Sequence, residues 1–182
     1  MSVRGAHRRM RSLEALVRAR VWGASRSIEV GRRVRVGRGC RLILDREARL
    51  VLGDRCTIDD QTTLAVYGSG RIVLGEDVFI GHHGTLAAHE SIEIASGAYL
   101  AELVSVRDHD HATGVPPRLG QVSVEAVTIG VDCWLGAKVT VVRGARIGDR
   151  AVVGANAVVR GEVPADVIAA GVPAVVVRPL QP

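Results

Sequence analysis

Four consecutive residues, Asp108-His109-Asp110-His111, sit in the stretch VRDHDHATG. An imidazole that is neutral near pH 7 can take a proton from a hydroxyl or an amine, and a carboxylate beside it can orient the ring or favour the imidazolium. His109 and His111 are alternative bases on this pattern, with Asp108 or Asp110 as the orienting carboxylate. A second pair, His82 and His83, follows Ile80 elsewhere in the chain. The three cysteines, Cys40, Cys56 and Cys133, lack the spacing of a thiolate metal site, so they read as small apolar fillers.

A repeat positions these groups. From Ile129 an aliphatic residue recurs at every sixth position: Leu135, Val141, Ile147, Val153, Val159. Counting backward gives triplets of the same kind: Val106, Leu100 and Ile94; Leu86, Ile80 and Leu74; Leu64, Ile58 and Leu52; Leu42, Val36 and Val30. A second small or aliphatic residue stands two positions before most of these, so each hexad carries two inward side chains at strand spacing and then a turn. Gly follows many first- and second-column aliphatics, where a change of chain direction would exploit its missing Cβ. Three short strands per 18 residues make a triangular prism whose coils stack about 4.8 Å apart.

The steps from Leu42 to Leu52, Leu64 to Leu74, Leu86 to Ile94 and Val106 to Ile129 exceed six by 4, 4, 2 and 17 residues. All four insertions fall at the same corner, and the longest holds the His/Asp stretch in what reads as an irregular loop over 107–126. Solenoids tolerate insertions only where they bulge outward, and such loops commonly carry function. The expected organisation is a basic N-terminal helix or cap over 1–27, the repeat over 28–160 and a tail over 161–182.

Position, charge and composition narrow the rest. Just before the second-column aliphatics stand Arg35, Thr57, Phe79, Tyr99, Trp134 and Val152, an outward ladder rich in aromatics that suits a subunit interface. Residues 1–50 hold 14 Arg against 4 Asp and Glu, whereas the whole chain of 182 residues is only +5. A basic head on an acidic body argues against nucleic acid as a partner. Residues 7–22 form a basic amphipathic pattern, which either caps the open end of the solenoid or lies on an anionic membrane surface; the cap is favoured because a solenoid needs one. With no apolar run of membrane-spanning length and no secretory signal, a soluble, cytoplasmic chain is expected.

The repeats, the His-bearing loop, CWLGA and the segment AVVGANAVVRGEVPADVIAAGVPAVVVR (151–178) resemble the hexapeptide-repeat acyltransferases, in particular the maltose, galactoside and capsular or lipopolysaccharide O-acetyltransferases. The resemblance implies an all-β solenoid, a left-handed parallel β-helix of about six three-strand coils with a short N-terminal helix, assembled as a homotrimer. It implies acetyl transfer from acetyl-CoA to a hydroxyl or amine of a small, carbohydrate-like acceptor, without a metal. On the matching positions it makes His109 the general base with Asp108 beside it, and His82 and His111 acceptor contacts. It assigns acetyl-CoA to Trp134, Ala137, Ala155, Arg160 and Arg178. Gly161 and Val175 replace residues that are often basic in the family, which either loosens the grip on phosphate or leaves it to Arg143 or Lys138. Two other readings share the prism: a γ-carbonic-anhydrase-like zinc enzyme, which His82, His83, His109 and His111 make thinkable, and a scaffold without catalysis.

Overall fold

Each hexad supplies one short strand, and strands of successive coils pair in parallel. The structure is a computed structural model and describes residues 27–114 and 116–180. The first face stacks Ile28–Val30, Arg49–Leu52, Arg71–Leu74, Ser91–Ile94, Val127–Ile129, Arg146–Ile147 and Glu162–Val163. The second stacks Arg35–Val36, Thr57–Ile58, Phe79–Ile80, Tyr99–Leu100, Trp134–Leu135, Val152–Val153 and Val167–Ala170. The third stacks Arg41–Leu44, Thr63–Val66, Thr85–Ala88, Ser105–Arg107, Thr140–Val141 and Val158–Val159. The register pairs Leu52 with Leu74, Ile80 with Leu100 and Leu64 with Leu86, as the repeat requires. The N-terminal helix expected within 1–27 lies outside the described residues.

The core is the column of repeat aliphatics. Sixteen of the eighteen are buried; Val30 and Leu42, on the first coil described, are half-buried against that core. Cys56 and Cys133 are buried among them and donate S–H to the carbonyls of Gly75 and Gly148 in the next coil, at 2.9 and 3.0 Å. Burial pushes the Cys56 thiol up to about 11 and raises Cys133 as well. Cys40, on the first coil described, is half-buried.

The glycines after the aliphatics serve a different purpose from the one their position suggests. The left-handed backbone of each corner falls two residues later, on residues such as Arg33 (φ 59°), Arg55 (φ 62°) and Lys138 (φ 60°). At Gly53 a Cβ would instead stand 2.5 Å from the Gly75 backbone of the next coil. Stacking distance, rather than chain reversal, excludes a side chain there.

Two segments depart from expectation. Residues 161–182 begin with two more strands of the prism, Glu162–Val163 and Val167–Ala170, and only then does Val175–Pro179 turn back antiparallel on the second face. The long insertion is a hairpin instead of an irregular loop: His109–His111 pairs antiparallel with Val122–Val124, and a short 3-10 turn at Pro117–Leu119 lies near its tip. Alternating Val in VSV gives the returning strand, so the His-bearing segment has a fixed partner.

Gly53→Ala is therefore expected to destabilise the fold by about 1–3 kcal/mol, as overpacking against backbone does. A chemical-denaturation midpoint lowered with an unchanged slope would register it; an unshifted midpoint would mean that the coils can part at no cost.

Candidate active site

The insertion corner gathers one row of functional groups. Val66 pairs with Ala88 and Arg107 with Ala87, so one step beyond the first pair and two beyond the second, Tyr67, His89 and His109 follow one another up the prism edge. Tyr67 stacks on His89 with ring centroids 4.8 Å apart and planes 27° apart. His89 meets His109 nearly edge-on, at 4.3 Å and 68°.

Asp108 ties this row together. It has no exposed surface, yet one carboxylate oxygen accepts backbone N–H groups from Glu90 at 2.7 Å and Ser91 at 2.9 Å. The backbone N–H of His89 donates to both oxygens, at 2.9 and 3.0 Å. Its other oxygen lies 3.0 Å from Nδ1 of His109, whose side chain is 14% exposed. A carboxylate accepts only, so this contact assigns the Nδ1 proton to His109 and leaves the lone pair on Nε2. The arrangement can take a proton at Nε2 and hold the resulting imidazolium against a buried carboxylate.

His89 is half-buried, and its readiness to protonate is lowered, first by that burial and then by the charge His109 can carry; Asp108 and Asp45 pull weakly the other way. Neither His89 nor Tyr67 stands out in the sequence as a site residue. A signal existed: Asp45, Tyr67, His89 and His109 all lie three residues after a third-column aliphatic.

The hairpin is clasped at its base. Glu125 N–H donates to the Asp108 carbonyl at 2.8 Å, and Gly144 N–H to the Glu125 carbonyl at 2.9 Å. Arg143 stands 3.2 Å from the Asp110 carboxylate and 3.6 Å from that of Glu125. Arg143 thus lies between the two carboxylates at the base of the hairpin, and Asp110 faces Arg143 while Asp108 faces His109.

The remaining expected residues lie elsewhere. His111 is exposed on the hairpin opposite Val122. His82 is exposed at the second corner, with Nδ1 3.1 Å from the Asp59 carboxylate. Ala137 and Ala155 meet at that corner further up the prism, where Asn156 N–H donates to the Ala137 carbonyl at 2.9 Å. Trp134 is 53% exposed and continues an outward ladder with Tyr99 and Phe79, whose rings stack at 4.5 Å. Arg160 is exposed at the third corner, and Arg178, exposed on the final strand, donates to the Pro179 carbonyl at 3.1 Å. Within one chain, then, His109 and Asp108 come together, whereas His82, Ala137 and Ala155 occupy a different edge. Among the described residues no three His, Cys, Asp or Glu side chains converge to hold a metal ion.

Asp108→Ala removes the acceptor of the backbone N–H groups of His89, Glu90 and Ser91 at a part-buried corner. A loss of about 1–3 kcal/mol is expected in equilibrium unfolding; an unchanged stability would show that the corner finds other partners.

Residues 126–160 match the hexapeptide repeat of succinyl-transferase. WbbJ of Escherichia coli, assigned to lipopolysaccharide biosynthesis as an O-acetyl transferase, is 32% identical over 156 residues, which cover 78% of this chain and 80% of that protein. Among solved structures, the N-acyltransferase AntD from Bacillus cereus, in complex with dTDP and 3-hydroxybutyryl-CoA, superposes with a TM-score of 0.77 at 18% identity, covering 90% of this chain and 88% of that one. The hexapeptide-repeat acetyltransferase VCA0836 of Vibrio cholerae, complexed with acetyl coenzyme A, gives a TM-score of 0.66 at 20% identity over 94% of this chain and 80% of that one. At such identities the two structures establish the shared prism. The repeat match and the extent of likeness to WbbJ go further: this chain belongs to the hexapeptide-repeat acyltransferase family.

Proposed function

We propose that the chain transfers an acetyl group from acetyl-CoA to a hydroxyl of a carbohydrate-like acceptor, with His109 as general base. The observation that carries this reading is the 3.0 Å contact between Nδ1 of His109 and the buried Asp108 carboxylate. It commits one ring nitrogen and presents the other. As the acceptor oxygen bonds to the acetyl carbon, His109 takes the hydroxyl proton at Nε2, and Asp108 stabilises the imidazolium that results. His109 then returns that proton to the departing sulfur, so the base is regenerated and no protein nucleophile is needed.

Acetyl-CoA supplies the activated acyl group. The small side chains of Ala137 and Ala155 suit a backbone-lined seat for it at the second corner. Exposed Arg160 and Arg178 suit the nucleotide phosphates. Because that corner and His109 belong to different edges of one prism, the reaction needs a cleft between copies. The homotrimer expected of the family provides one, with His82 of one subunit set against the acceptor beside His109 of the next. The exposed ladder of Tyr99 and Trp134 supports such packing. The carbohydrate acceptor rests on the lipopolysaccharide assignment of WbbJ and the amino-deoxysugar nucleotide in AntD complexes, and the hydroxyl on the O-acetyl transfer in the WbbJ assignment.

The test measures free thiol released from acetyl-CoA in the presence of p-nitrophenyl galactoside, glucoside and mannoside, with amino sugars as a parallel arm. His109→Ala is expected to lower kcat by about 10²- to 10⁴-fold, the range a general base contributes, while the melting curve and oligomeric mass stay as they were. Turnover that survives the substitution would remove His109 from the mechanism, and faster reaction with amino sugars would reassign the acceptor to an amine.

A further inference from the structure

The general-base reading uses His109 and Asp108 and leaves His89 without a task. Yet His89 is the group against which the His109 ring rests. Its backbone is held by the same carboxylate that holds His109, through N–H bonds of 2.9 and 3.0 Å, so one buried group sets the spacing of the two imidazoles. Tyr67 bounds a second side of His89, stacked at 4.8 Å. Tyr67 also meets His109 edge-on at 6.3 Å, so the three rings pack as a triangle in which His89 makes the two closest contacts.

The position has an electrostatic consequence. Two imidazolium ions with centroids 4.3 Å apart would repel, and more strongly in a partly buried corner than in bulk water. The charged or titratable groups facing His89 are Asp108 and His109 from the base of the hairpin, with Tyr67 and Asp45 from the two preceding corners. Burial and His109 outweigh the two carboxylates, so protonation of His89 is disfavoured. Proton transfer in the proposed reaction puts a positive charge on His109, and a neutral neighbour accommodates it where a cation would not.

We propose that His89 is a positioning residue for the base: a ring braced by Tyr67 that fixes the plane of the His109 imidazole and must remain uncharged while His109 holds the acceptor's proton. The proposal rests on the general-base reading of His109. No proton passes through His89 in any step.

The experiment compares His89→Ala, His89→Phe and His89→Lys in the full chain, each with a thermal melt, using acetyl-CoA and the p-nitrophenyl hexoside turned over fastest. His89→Ala is expected to lower kcat by about 10- to 100-fold through a misplaced base, with KM for either substrate within about twofold. His89→Phe keeps a flat neutral ring and should recover kcat to within about fivefold of the unsubstituted chain. His89→Lys places a fixed cation beside His109 and disfavours its protonated form, so the acid limb of kcat/KM moves to lower pH by about one unit. Carbon-13 NMR of labelled histidine in the substrate-free protein should show the His109 ring of the Lys variant titrating at lower pH by a similar amount.

That NMR measurement needs no turnover, so it separates failure of this proposal from failure of His109 as base, which His109→Ala reads. The proposal is overturned by an Ala variant with unchanged kcat and pH profile. A raised acceptor KM at constant kcat would also overturn it, by making His89 an acceptor contact. Equally damaging is a Lys variant in which His109 titrates as before. If the Ala variant does not fold, the Phe and Lys variants carry the comparison alone.

Discussion

The coils of this chain approach one another so closely that at Gly53 even a methyl group would meet the backbone of the next coil at 2.5 Å. Everything else in the molecule follows from that stacking distance. Each coil must repeat the hydrogen-bonded register of the last, as Gly53 N–H to the Leu74 carbonyl and Gly75 N–H to the Ile94 carbonyl do at 2.8 Å. A face cannot absorb an extra residue without losing register with both neighbours. Additional residues therefore bulge at the third corner, and residues that start such bulges are stacked on one another. Tyr67, His89 and His109 form a row because the insertions of this chain share one corner.

Asp108 is where this constraint becomes chemistry. The shortest of the inserted corners, at His89, Glu90 and Ser91, turns three successive N–H groups inward, and a fully buried carboxylate is the acceptor that satisfies them. Removing an ionised group from water costs several kcal/mol unless it is well paired, and these donors together with Nδ1 of His109 offset that cost. The same side chain thereby closes a corner of the scaffold and orients an imidazole. A residue serving only the ring could be moved with it; this one is fixed by the coil beneath.

The sixfold spacing made the prism legible, because Val, Ile or Leu at a fixed interval has one physical explanation, a narrow core filled once per strand. The corner and register of the insertions followed from the same count, as did burial of Cys56 and Cys133. The sequence misled where one residue type can answer two needs. Gly after an aliphatic suits a reversal or a close approach, and only the stacked backbones distinguish them, with Arg33, Arg55 and Lys138 taking the left-handed conformation instead. Two His within three residues look like a loop until Val122–Val124 is laid beside them. His89 and Tyr67 were hidden because their partners lie 20 and 22 residues away, and a ring contact at that separation exists only once the coils are in register.

The hairpin shows how a regular solenoid can carry a variable function. Its base is joined to two coils: to the coil below through Asp108, and to the coil above through Gly144 N–H on the Glu125 carbonyl and Arg143 between Asp110 and Glu125. Beyond His111 the strands leave the prism, and the described residues of the tip, including Gly114, Arg118 and Leu119, are exposed. Groups at the base inherit the rigidity of the stacked coils, whereas the tip is constrained mainly by its own turn. The proton-handling pair sits at the base, and substitutions at the tip can change what the site admits without moving His109 or Asp108. A single insertion at one corner thus supplies a fixed base and an adjustable rim, which a uniform run of hexads could not.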